Sequence, residues 1–265
     1  MKERKVLDSE VENSSAPIME HLVELRTRII RSLIAFLITM SISFYFADDV
    51  FNFLSLPIIS LLNSYGQNTE LIYTGLQQGF MVHIKISIFA GFLFAFPFIS
   101  FQLWRFVAPG MYKNEKKAFL PFLISSPLLF ILGAAFAFYV VMPLAFDFLL
   151  KFQQNQGDGM VELLKIKYLG SINEYLSLTM AFIIAFGLSF QLPVLLTLLG
   201  KVGLVTSAGL ASFRKYAAVA ILIVAALVTP PDVITQIILF SAVYTLYEIS
   251  IFFVKRVEKG SSEEL

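Results

Sequence analysis

Ile-Ile-Arg-Ser-Leu-Ile-Ala-Phe-Leu-Ile-Thr-Met-Ser-Ile-Ser-Phe-Tyr-Phe, residues 29–46, is the stretch whose reading decides the fold. As a helix rising about 1.5 Å per residue it comes close to the ~30 Å of a bilayer's hydrocarbon, provided that flanking residues snorkel. It follows a charged segment and lacks a small-residue cleavage site, so it reads as a retained helix and not as a signal peptide. Runs of the same kind recur at 78–104, 118–141, 172–199, 213–229 and 233–254. The expectation is an all-α membrane protein with six transmembrane helices.

Composition supports that class. Hydrophobic residues make up 57% of the chain and charged residues 15%, against about 25% charged in ordinary soluble domains. The apolar residues come as unbroken runs, unlike the short alternating segments of a membrane β-barrel. A helix satisfies its own backbone hydrogen bonds inside lipid. The chain has no cysteine, which excludes disulfides, thiolate metal sites and cysteine nucleophiles, and its net charge of +1 argues against a nucleic-acid partner.

Pro109-Gly110, Pro143, Gly157-Asp158-Gly159 and Pro230-Pro231 punctuate the joints between runs. Residues 1–265 read as one domain without a fixed-period repeat. Residues 1–28 form a cytoplasmic amphipathic lead-in, 29–254 the six spans and 255–265 a cytoplasmic tail, with Lys259 to Leu265 disordered. The fifth span is short: Tyr216 to Val228 covers only about 20 Å. Such a helix thins the bilayer or hides behind a neighbour.

Orientation follows from Lys and Arg near the span ends. Lys2, Arg4, Lys5, Arg26, Arg28 and Arg31 precede the first span, and Arg105, Lys113, Lys116 and Lys117 lie between spans two and three. Lys201, Arg214 and Lys215 lie between spans four and five, and Lys255, Arg256 and Lys259 follow the sixth. Sixteen of the 20 basic residues therefore share one side, which places both termini in the cytoplasm.

Ile18, Leu22, Leu25 and Ile29 form one helical stripe, and Glu20, Glu24, Arg28 and Arg31 another. Pro17 suits a first helical turn, so a short amphipathic helix is expected along the membrane surface before the first span. The plain account is interface anchoring, with Glu24 and Arg28 as an i,i+4 pair.

His21-Leu-Val-Glu24-Leu-Arg26-Thr-Arg28 resembles the N-terminal signature of the TatC family, the multi-spanning subunit of the twin-arginine protein translocase. Phe101-Gln-Leu-Trp104-Arg-Phe106-Val-Ala-Pro109-Gly110-Met-Tyr112-Lys-Asn-Glu115-Lys resembles that family's first cytoplasmic loop. The similarity continues through Phe190-Gln191-Leu-Pro193-Val, Thr206-Ser207, Arg214-Lys215-Tyr216 and Thr229-Pro230-Pro231-Asp232, in the same order along nearly the whole chain.

The resemblance implies a bacterial inner-membrane, multi-pass receptor and scaffold. It implies binding of paired-arginine signal peptides of folded precursors at the cytoplasmic face. It also implies a multimeric complex in lipid with small single-span subunits of the TatA and TatB type, driven by the proton gradient. No cofactor, metal or catalytic residue is implied. Glu24 and Glu115 are implied to receive the arginines; a planar guanidinium fits a carboxylate through two parallel bonds, which lysine cannot copy. Glu115 also reads as a first-turn acid favoured by the helix dipole of span three. Arg26, Arg28 and Phe106 match family positions that shape the site, and the resident arginines are expected to satisfy the acids until a signal displaces them. Pro57, in the loop after span one, matches a position that shapes the periplasmic cap.

Gln191 sits deep in the fourth span, where a polar group faces protein or water. The family often has glutamate there, and glutamine keeps the hydrogen bonding without titrating. A contact with a single-span partner and an ordinary interhelical bond stand as its two readings. Thr235 and Gln236 are candidates for the same polar surface. Asp232 reads as a helix N-cap. His83 and Lys85 are expected to snorkel or pair with Glu70, Glu248 to pair with Lys255 or a partner, and His21 to be surface-exposed.

Alternatives fare worse. An intramembrane protease would need a His-Glu-x-x-His, a Gly-x-Ser-x-Gly or an aspartate pair in the membrane, none of which is present. Gly200-Lys201 is no phosphate loop, since Leu195 stands at the earlier glycine position and Val202 follows the lysine. The second reading is a secondary transporter of small solutes. Kinks at Phe96-Pro97 and Gln191-Leu-Pro193 would suit it, but midplane charges and matching halves are missing.

Overall fold

Long apolar runs without competing polar spacing become helices, and the helices here carry the whole architecture. The computed structural model describes residues 2–66, 69–107, 116–157, 170–229 and 233–263. In chain order it builds α1 (Lys2–Tyr45), α2 (Ala47–Ser64), α3 (Gln78–Val107) and α4 (Lys116–Phe136). A π-helical turn (Ala137–Val141) leads into α5 (Met142–Gly157), followed by α6 (Ile172–Ser189) and α7 (Leu192–Lys201). The chain continues with α8 (Ser207–Ser212), α9 (Arg214–Val228) and α10 (Val233–Glu263). Among the described residues the sole β feature is a parallel bridge between Ile72 and Ser171.

Five helical stretches are long and apolar enough to cross a membrane: 21–45, 78–106, 121–151, 172–201 and 233–259. The remaining expected span, the fifth, corresponds to α9, whose 15 residues reach about 22 Å. Its direction is set by two contacts. Arg214 at its start meets Glu248, and the Leu222 carbonyl accepts a bond from Gln236 Nε2 at 3.4 Å, so α9 and α10 run antiparallel.

Several boundaries differ from expectation. The amphipathic lead-in is not a separate helix: α1 runs unbroken from Lys2 through Pro17 into the first span. Pro143 is not a joint. The π-turn before it takes up the register change, and the helix continues to Gly157. Pro97 lies inside an unbroken α3, whereas the break at Gln191 does occur, between α6 and α7. The stretch read as a disordered tail continues α10 to Glu263. Pro57 lies in a helix, not a loop. It is buried on the face of α2 that also carries Ala47, Leu54, Ile58 and Leu62, and the Tyr175 hydroxyl donates to the Leu54 carbonyl at 2.5 Å beside it.

The core gathers α2, α3, the π-turn, α5 and α6 around Ile86, Met142, Leu176, Phe182 and Phe186, all fully buried. Glycines set the closest approaches. A methyl on Gly133 of α4 would stand 2.6 Å from the Phe186 carbonyl oxygen, and one on Gly187 of α6 would stand 2.6 Å from the Phe130 ring. Small residues at such crossings let membrane helices pack backbone to backbone.

Candidate functional site

The site begins with how α1 and α3 align. Thr39 donates to the Gly91 carbonyl at 2.8 Å, and Gly91 has no side chain to hold the helices apart. From there α1 runs back as α3 runs forward, which brings Arg28 beside Gln102 and His21 beside Phe106. Between the helices lies a groove of about 360 Å³, walled by apolar side chains such as Ile29, Phe36, Ile99 and Leu103. Arg28, Gln102 and Phe106 also line it, so the polar groups form part of its wall.

Glu24 lies one helical turn before Arg28, and its carboxylate takes the guanidinium in a two-pronged contact. Arg28 Nε donates to Oε1 at 3.0 Å, and Nη2 binds the same oxygen closely. Arg28 Nη1 reaches across to Gln102 Oε1 at 3.3 Å. Oε2 faces His21, whose Nδ1 is 3.7 Å away. The guanidinium is largely covered and the carboxylate one third exposed, so one acid oxygen is held by Arg28 while the other faces only His21.

The i,i+4 pair is therefore present, while Arg26 is exposed on a different side of α1, two residues and about 200° from both Glu24 and Arg28. Glu115, Pro109, Gly110, Pro230, Pro231 and Asp232 lie outside the described residues. Two members of the cluster carried no assigned role in the sequence. Gln102 is a polar side chain inside an apolar run, and it is buried to 6% exposure. That is the kind of signal that marks function in a membrane. His21, read as simply exposed, lies flat against Phe106.

Gln191 makes its bonds within the chain. Ser126 Oγ donates to Gln191 Oε1 at 2.6 Å, and Gln191 Nε2 donates to the Ser126 carbonyl at 2.9 Å. Ser100 adds a third helix by donating to Ser126 Oγ at 3.0 Å. This geometry is that of the interhelical bond. Thr235 is buried and Gln236 half-buried on α10, with the Gln236 amide turned to the Leu222 carbonyl of α9.

Other ion pairs differ from expectation. Glu248 binds Arg214 through both oxygens, at 2.7 and 2.8 Å, in place of Lys255, which lies two turns further along the same helix. His83 meets Asp48 at 2.8 Å and not Glu70, and Lys85 donates to Asn173 and Ser177. Glu258 caps α8 by accepting from the Ser207 amide at 2.8 Å and from its hydroxyl. Asp147 accepts from the Tyr65 hydroxyl at 2.5 Å and from Lys151 at 2.7 Å.

Comparison with known proteins adds independent findings. The family described as Sec-independent protein translocase protein (TatC) matches residues 20–241. The Sec-independent protein translocase protein TatC of Magnetococcus marinus is 43% identical over 249 residues, 94% of this chain and 88% of that protein. That of Aquifex aeolicus is 44% identical over 93% of this chain and 98% of its own length. The Escherichia coli K12 protein is 37% identical over 94% and 92%. A crystal structure of the twin arginine translocase receptor TatC superposes with a TM-score of 0.77 at 45% identity, covering 90% of this chain and 99% of that one.

Proposed function

The chain belongs to the TatC family, and from that premise we propose that it is the receptor of a twin-arginine translocase, binding paired-arginine signal peptides of folded precursors through Glu24 and Glu115. It is a protein-transport component of a membrane and not an enzyme. Family membership sets the small-solute transporter aside.

One observation carries the binding reading. The Glu24 carboxylate, one third exposed, has one oxygen held by Arg28 and the other turned to His21 at 3.7 Å, beside an apolar groove that runs along α1 and α3. Arginine donors suit that second oxygen, and the groove suits apolar residues following the arginines. Arg28 does not need to leave for this to happen, so the resident arginine acts as a brace and not as a plug. Arg26, exposed on another side of α1, adds its charge to the basic end of that helix.

The remaining features of the reading follow. The chain crosses a bacterial inner membrane six times with both termini cytoplasmic. The basic residues on one side support this, and α9, antiparallel to α10, supplies the crossing that makes the number even. Small single-span subunits assemble around the chain, with Gln236, half-buried between α9 and α10, at the edge of the surface offered to them. Pro57 and Asp232 serve the fold.

Site-specific photocrosslinking from positions 24 and 115 to a paired-arginine precursor tests the proposal, together with binding of its signal peptide to Glu24→Ala and Glu115→Ala. Crosslinks from both positions and loss of binding in both variants are expected. Unchanged affinity in both variants would refute it.

A further inference from the structure

His21 stands one turn before Glu24, and its imidazole lies parallel to the Phe106 ring, with centroids 4.1 Å apart and planes 9° apart. Phe106 covers one face of the imidazole. The side chain is nonetheless 49% exposed, so the other face is open. Nδ1 is 3.7 Å from Glu24 Oε2, the oxygen that Arg28 does not use. A half-exposed aromatic ring and a carboxylate oxygen that Arg28 leaves unused thus stand side by side.

A guanidinium can use both at once. Its plane stacks on an aromatic face while its edge presents N–H donors to a carboxylate. An ammonium is a compact, strongly hydrated point charge with no plane to lay down, so it gains the charge attraction but not the stack.

We propose that His21 is a specificity-determining residue: its ring, backed by Phe106, is the platform that selects arginine over lysine at Glu24. This rests on the reading of Glu24 as a receiver of signal-peptide arginines. Phe106 acts by holding the ring, and the α1–α3 alignment at Gly91 brings the two rings together.

The test uses the full chain purified in detergent and two synthetic signal peptides, one with paired arginines and one with lysines in their place. Affinities are measured for the native chain, His21→Ala, His21→Phe and Glu24→Ala. His21→Ala is expected to lower the arginine-over-lysine preference roughly three- to tenfold, mainly by weakening the arginine peptide. His21→Phe, which keeps a flat ring, is expected to restore the preference. An unchanged preference in His21→Ala, or no restoration by His21→Phe, overturns the platform. Full arginine-peptide binding by Glu24→Ala would instead remove the underlying reading of Glu24, and the platform with it.

Discussion

Thr39 donates its hydroxyl to the Gly91 carbonyl at 2.8 Å, and this contact sets the register in which α1 and α3 bring His21, Glu24 and Arg28 to Gln102 and Phe106. A methyl on Gly91 would stand 2.7 Å from the Met40 Cα, which is backbone and cannot swing aside. Gly91→Ala is therefore expected to push the helices apart. A cost of about 1–3 kcal/mol is typical of overpacking, read as a lower melting temperature in detergent. The signal-peptide affinity should fall as well, since the groove depends on the same register.

Gln102 holds Arg28 from the far helix at 3.3 Å. Gln102→Leu keeps the volume and removes the acceptor, so the fold should survive while Arg28 loses one tether. Affinity for a paired-arginine peptide is expected to drop about five- to tenfold, with little change in melting temperature. A loss of stability without a loss of affinity would make Gln102 a packing residue only.

Gln191 satisfies both ends of its amide on Ser126. Gln191→Ala should then destabilise the isolated chain by about 0.6–2 kcal/mol, the range for interhelical hydrogen bonds in membranes. Thermal unfolding of the chain alone checks this. A residue reserved for a partner would leave that curve unmoved and weaken only the assembled complex.

Glu258 accepts from the backbone amide and the hydroxyl of Ser207, closing the N-terminus of α8 against α10. Glu258→Ala removes the acceptor of the Ser207 amide and leaves that helix end with the Thr206 cap on the Gly209 amide alone. Faster hydrogen–deuterium exchange across residues 206–212, with α10 itself unaffected, is the expected outcome.

How far the fold was legible depends on the range of the forces involved. Hydropathy marks spans because each helix meets lipid along its own length, and five of the expected spans appear close to where the runs lie. The shortness of α9 was readable for the same reason, since charged residues and a diproline bracket it. The helix α2 escaped because Pro57 reads as a breaker, although Leu54, Ile58 and Leu62 already repeat at helical spacing. Proline at 143 misled in the same way, because a single π-turn before it absorbed the register change.

At the site, the Glu24–Arg28 pair was readable because four residues on a helix fix neighbours without help from the rest of the chain. Arg28 with Gln102, 74 positions apart, and His21 with Phe106 were not. Nor was Arg214, rather than Lys255, as the partner of Glu248. The sequence by itself determined which segments enter the membrane and which side chains meet within one helix, because burial in lipid and the 3.6-residue turn act locally. Only the tertiary structure decided which helices face each other and at what register. That choice rests on close contacts such as Gly91 against Met40, whose energy exists only after two distant segments have packed.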